Sequence, residues 1–226
     1  MHGLILHGLG NDFTVKIKVP HLIVAVLICL SFLAGFILSD RMPERMASHW
    51  NAAGEVDGYM PKTWALYLLP VLTALLAVFI AVLPSFDPLK ANVDKFRGYY
   101  DWFIVVFTAF MTYLYAISLL WNLGLRFNMI QLLVPAFAVL FFFIGVLLEN
   151  SKMNWFIGIR TPWTLSSETV WDRTHRLGGR LFKAAGVVCL AGLVLHEYAI
   201  LLVLAPVILA AIYAVVYSYL EYRRQH

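Results

Sequence analysis

Two groups of residues have types and spacings that chemistry could use. The first is His49, Glu55 and Asp57, set in one short segment with Asn51, Gly54 and Gly58. An imidazole beside two carboxylates can supply acid–base catalysis or, if the three converge, ligands for a divalent ion. Their spacing matches no zinc signature such as H-E-x-x-H. Asn51-Ala-Ala-Gly54 and Asp57-Gly58 favour left-handed and self-bonded turns, so a compact ordered loop that contacts a partner is the simpler expectation. The second group is Glu168, Asp172 and His175, at i, i+4 and i+7, which places all three on one helical face. There the simpler expectation is a surface facing solvent or headgroups, with Trp171 dipping into the membrane and Arg173 and Arg176 meeting anionic lipid. A third feature, Thr108, Thr112, Tyr115, Ser118 and Asn122, keeps polar groups on one side of a helix and reads as a packing seam. No catalytic residue, metal or cofactor is assigned, and the expectation is a protein that is not an enzyme.

The elements that position these residues follow from composition. The chain has 226 residues, 62% hydrophobic and only 13% charged, with a mean hydropathy of +0.78. Soluble domains carry roughly 25% charged residues, so this chain has too little polar surface to coat a globule. The class expected is an all-α polytopic membrane protein, because the apolar stretches are continuous rather than alternating. A helix needs about 20 apolar residues to cross the hydrocarbon. Val19 to Leu38, Trp64 to Leu83, Trp102 to Leu123, Ile130 to Leu148 and Tyr198 to Leu220 meet that length directly. A sixth and weaker stretch runs from Leu177 to Leu195, with Arg180 and Lys183 snorkelling at one end and His196-Glu197 at a tight tip.

Basic residues orient the six spans. With the N-terminus inside, thirteen of the 17 Lys and Arg face the cytoplasm, and only Arg41, Arg45, Lys62 and Arg126 lie outside. Both termini are therefore expected in the cytoplasm of a multi-pass plasma-membrane protein, with residues 1–18 as an N-terminal tail and 19–226 as one transmembrane domain. The tail and the apolar run after it do not read as a cleavable signal peptide. The basic balance is then a topology signal and implies no direct binding of nucleic acid. Cys29 and Cys189 both fall inside spans and read as small buried hydrophobes.

Two connections hold the remaining polar information, an extracytoplasmic loop at 39–63 and a cytoplasmic loop at 149–180. The first contains Pro43, His49, Trp50, Asn51, Gly54, Asp57 and Lys62, with Trp50 placed as an interfacial anchor or a recognition surface. The second contains Asn154, Gly158, Arg160, Thr161, Pro162, Trp163, Glu168, Trp171, Asp172, His175 and Arg176. Pro162 disfavours helix at Thr161, Ser166 or Ser167 can cap, and a short helix over 168–176 follows.

Both loops carry family patterns. The first resembles the signature of a widespread, largely uncharacterised prokaryotic membrane domain: Pro, then His-Phe/Trp-Asn-x-x-Gly-x-x-Asp, then Lys. The second, Asn154-Trp-Phe-Ile-Gly158-Ile-Arg160-Thr161-Pro162-Trp163-Thr164-Leu165 followed by Trp171 and Thr174-His175-Arg176, resembles the SdpI family. The two motifs occur together and in order in that family, from about residue 40 to the C-terminus. The resemblance implies an immunity protein against a secreted peptide toxin, and in some members a membrane tether for a cytosolic transcriptional repressor. On that basis His49, Trp50, Asn51 and Asp57 face the toxin, and Arg160, Trp163 and His175 face a cytosolic partner. Two other classes remain open. A small transporter or flippase is suggested by Pro70, Pro135 and Pro206 inside spans and by a faint echo of Lys62-Thr63-Trp64 in Arg160-Thr161-Pro162-Trp163 across opposite sides of the membrane. A membrane-embedded hydrolase would use Glu168, Asp172 and His175, or His49 and Asp57.

Overall fold

A computed structural model describes residues 18–225. The expected N-terminal tail lies outside the described residues except for Lys18. The chain forms α1 (Val19–Leu38), β1 (Arg45–Trp50), β2 (Val56–Pro61), α2 (Lys62–Val82), α3 (Lys90–Asp94), α4 (Arg97–Asn122), α5 (Met129–Asn150), α6 (Pro162–Ser166), α7 (Glu168–Cys189) and α8 (Ala199–Gln225). Among the described residues five segments are long and apolar enough to cross a membrane: Val19–Arg41, Lys62–Phe86, Arg97–Asn122, Met129–Asn150 and His196–Gln225. They coincide with the five direct expectations, because an unbroken apolar stretch of this length has no other way to satisfy its backbone in hydrocarbon.

Three expectations are corrected. The fold is mostly helical rather than all-α: the first motif loop folds as an antiparallel hairpin, Arg45 opposite Pro61 and Trp50 opposite Val56. The helix expected at 168–176 does not stop there but continues to Cys189 and absorbs most of the weak sixth stretch. Gly178 and Gly179 end no helix, because they are the contact points of a helix crossing. A Cβ on Gly179 would lie 2.6 Å from the Gly145 carbonyl oxygen, and one on Gly186 would lie 2.7 Å from that of Ala138. Helices in membranes associate through such small-residue contacts, where backbones approach and dispersion is gained along the whole seam. Finally, Cys189 is buried but Cys29 is exposed on the outer face of α1.

The long helices fall into two sets of three, α1 with α2 and α4, and α5 with α7 and α8, joined chiefly along α4 and α5. Each set is a helix, a long motif loop, a helix, a short connection and a helix. The two motif loops lie at opposite ends of the bundle.

Buried carboxylates lock the end opposite the hairpin. Asp101 of α4 is 2% exposed and accepts from Lys18 at 3.0 Å and Arg97 at 2.7 Å. Glu221 of α8 is equally buried and pairs with Arg173 of α7, with Gln225 at 3.1 Å. A buried carboxylate that loses its cation costs several kcal/mol, so these pairs fix which helices meet here more than they add net stability.

Candidate functional site

The hairpin is built by its own polar residues. The Asn51 side-chain oxygen accepts from the amides of Ala53 at 2.9 Å and Glu55 at 3.0 Å, closing the tip as a self-bonded turn. Gly54 sits there at φ +80°, a conformation that side chains avoid. Past the tip, His49 Nδ1 lies 2.5 Å from an Asp57 carboxylate oxygen. Gly58 stands opposite His49, where an added Cβ would be 2.8 Å from His49 Cβ. Both members of the pair are open to solvent, with side chains 70% and 45% exposed. Glu55 turns to Asn51 instead, at 3.3 Å. The arrangement is a displayed polar surface, since a catalytic pair gains its strength from exclusion of water.

The hairpin is seated on the helices by residues that sequence reading placed elsewhere. Asn122, at the end of the polar stripe on α4, accepts from the Ala47 amide at 2.8 Å and donates to its carbonyl at 3.0 Å, standing in for a third strand. Trp50 packs edge-on against Trp121, with ring centroids 5.7 Å apart, and Arg126 lies over the Trp121 face at 3.9 Å. Lys62 bonds Glu44 at 2.7 Å across the hairpin base, beside exposed Pro43. Of the rest of the stripe, the Tyr115 hydroxyl donates to the Leu66 carbonyl at 2.9 Å. The hydroxyls of Thr108 and Thr112 are buried and have no partner among the described residues.

At the opposite end the second motif is largely interior. Asn154, fully buried, accepts from the amides of Phe156 and Ile157 and donates to the carbonyls of Lys152 and Ile157. One side chain thus satisfies four backbone groups and holds the loop in a tight arch. Gly158 follows at φ +118°. The arch docks on the link between α2 and α4, where Asp87 accepts from the Trp155 amide at 2.9 Å and Asn92 donates to the Met153 carbonyl at 2.9 Å. Thr161 is extended before Pro162 and forms a capping box with Thr164. Its hydroxyl meets Ser218 of α8 at 3.0 Å, and Trp163 packs on Tyr219. Ser167, rather than Ser166, caps α7 by accepting from the Val170 amide.

Glu168, Asp172 and His175 share a helix but not an environment. Glu168 is exposed, and Asp172 reaches Lys152 at 3.3 Å. His175 is 1% exposed and stacks on Trp171 at 3.9 Å. Its Nδ1–H donates to the Trp171 carbonyl at 2.9 Å, and its Nε2 accepts from the Ile159 amide at 2.9 Å. Both ring nitrogens are committed to backbone, so the expectation that His175 faces a cytosolic partner is corrected, and no acid–base group forms. Arg160, bonded to the Trp155 carbonyl at 2.9 Å, and Arg176 remain exposed. Among the described residues no three His, Cys, Asp or Glu side chains are grouped to hold a metal ion. The chemistry-capable residues missed by sequence reading, Asp87, Asp101 and Glu221, lie at span ends where charge is ordinary. The Asp87-Pro88 turn was the one local signal.

The His175 environment has a measurable consequence. Burial pushes its pKa down from 6.5 to about 4, and an imidazolium Nε2 cannot accept the Ile159 amide. The unfolded chain therefore binds a proton before the folded one does. The stabilisation is complete above pH 6.5 and is lost as pH falls toward 4, by an amount of order 3 kcal/mol. The difference in melting temperature between the unaltered protein and His175→Gln, large at pH 7.5, is expected to shrink by pH 5. A difference constant with pH would refute this account.

Comparison with known proteins matches both loops. Residues 150–218 match the SdpI/YfhL protein family, and residues 26–74 match a domain of unknown function, DUF1648. The chain is 26% identical over 206 residues to the immunity protein SdpI of Bacillus subtilis (strain 168), covering 90% of this chain and 96% of that protein. No solved structure matches the chain.

Proposed function

We propose that this chain, whose residues 150–218 match the SdpI/YfhL protein family, is an integral membrane immunity protein that protects its cell from a secreted peptide toxin. What carries the reading is likeness to an immunity protein along nearly the whole of both chains, 90% of this one and 96% of the relative. The hairpin with His49, Asn51 and Asp57 is the toxin-facing surface, outside the cell. The exposed part of the second motif, Arg160 and its neighbour Trp155, faces the cytoplasm and any repressor held there. Six crossings fit this orientation. Gly179 beside Gly145 and Gly186 beside Ala138 run α7 antiparallel along α5, and Cys189 reaches Val134 near the start of α5. Arg180 and Lys183 lower the hydropathy of α7 without displacing it from that path, since their heads snorkel.

Expression in a toxin-sensitive cell tests the proposal. The unaltered protein is expected to raise survival, and Asp57→Ala and Asn51→Ala to lower it at least about tenfold, by the loss of one or two polar contacts. Asp57 is exposed, so Asp57→Ala should keep the abundance and melting temperature of the parent. Undiminished protection by both variants would remove the hairpin from the binding surface. Labelling of Tyr59→Cys, but not Trp155→Cys, by an impermeant maleimide on intact cells checks the orientation.

A further inference from the structure

The faces of α7 and α8 turned away from the rest of the bundle enclose a groove of about 510 Å³, walled by Leu181, Ala184 and Val188 on one side and Leu209, Tyr213 and Val216 on the other. It follows α8 from Pro206 to Val216, about 15 Å at 1.5 Å per residue, which is one leaflet of a hydrocarbon core about 30 Å thick. Where the groove ends toward the second motif loop, α7 continues into Arg180 and Arg176, one turn apart and both exposed. Arg180 precedes Ala184 by four residues, so its side chain stands one turn above the groove wall. Of the neighbouring cations, Lys183 bonds Glu149 at 2.6 Å, Arg173 pairs with Glu221, Arg224 lies 3.9 Å from Glu221, and Arg223 is turned to the Tyr219 hydroxyl at 3.1 Å. Arg176 and Arg180 have no carboxylate in ion-pair reach among the described residues. The glycine face of α7 is committed to α5, so the helix cannot rotate to place these arginines elsewhere.

We propose that this groove is a binding site for an anionic glycerophospholipid of the adjoining leaflet, with one acyl chain laid between α7 and α8 and the phosphate held by Arg180 and Arg176. Guanidinium groups bind phosphate through paired N–H donors, and basic residues just beyond the hydrocarbon attract acidic lipid. A second copy of the chain is the poorer occupant, because a two-fold contact through this face would bring the arginine pairs of both copies together.

The full-length protein in detergent, titrated with dioleoylphosphatidylglycerol or dioleoylphosphatidylcholine, tests this by native mass spectrometry of retained lipid. Phosphatidylglycerol is expected to bind at least about tenfold more tightly, as two lipid-facing cations imply. The preference should vanish in the Arg176→Gln/Arg180→Gln double variant and persist in Lys90→Gln/Lys95→Gln, which removes the same charge elsewhere on that end. Ala184→Trp, at an exposed position that fills the groove, should lose both lipids. Equal retention of the two lipids by the unaltered protein, or preference persisting in the double arginine variant, would overturn the site. So would a dimer abolished by Ala184→Trp, which would assign the groove to a second copy.

Discussion

Gly158→Ala is expected to destabilise the protein by about 3 kcal/mol. Two costs combine. Gly158 has φ +118°, where a side chain strains the backbone by about 1–3 kcal/mol. Its Cβ would also stand 2.4 Å from His175 Nε2, so the imidazole must leave the Ile159 amide it accepts from, and an unsatisfied buried donor costs about 1–3 kcal/mol more. His175 cannot yield easily, since it is stacked on Trp171 and held at its other nitrogen. Thermal unfolding in detergent is the measurement. Because part of the cost is loss of the His175–Ile159 bond, Gly158→Ala should cost less in a His175→Gln background than in the parent, leaving the φ penalty. A Gly158→Ala protein that melts like the parent would mean that the arch is not held as described.

Gly179→Val is expected to be comparably damaging, for a reason that lies between helices rather than within a loop. A Cβ at 179 would fall 2.3 Å from Glu149 Cγ and 2.6 Å from the Gly145 carbonyl oxygen. The second contact is backbone and cannot turn aside. The helices must separate, loosening the seam from Gly145 to Ala138 and pulling Lys183 from Glu149, now 2.6 Å apart. Overpacking of this kind costs about 1–3 kcal/mol, and parting a half-buried ion pair adds to it. Gly98, where an added Cβ meets nothing within 4 Å, is the matched control, and Gly98→Val is expected to change the melting temperature far less. Equal melting of the two variants would argue against the α5–α7 seam as the organising contact of the second half.

The five strongly apolar helices were legible because crossing hydrocarbon demands length and apolarity, and both can be counted along a chain. The motif loops were legible as places, since their Pro, Gly, Asn and charged residues interrupt apolar stretches. Their inner construction was not. Arg45-Met-Ala-Ser-His-Trp shows no clean alternation; β1 forms by pairing with β2, and Asn122, far along the chain, bonds its free edge at Ala47. Likewise Gly178-Gly179 reads locally as a weak point in a helix, and only the approach of Gly145 turns it into a junction.

The candidate site divides the same way. His49 and Asp57 were singled out by type and spacing, and the hairpin register brings them to 2.5 Å. Glu168, Asp172 and His175 were singled out by the same reasoning and belong to different surroundings, because helical spacing reports a shared face and says nothing of what covers it. The amino-acid sequence by itself therefore determined the apolar character of this protein, the five segments long and apolar enough to cross a membrane and the two segments that carry its polar groups. These depend on composition along the chain. Which of those groups are displayed and which are buried as struts was decided only by tertiary structure, because burial is a property of neighbours remote in sequence: Asp87 and Asn92 for the arch at Asn154, Ile159 for His175, Ser218 for Thr161 and α5 for the glycines of α7.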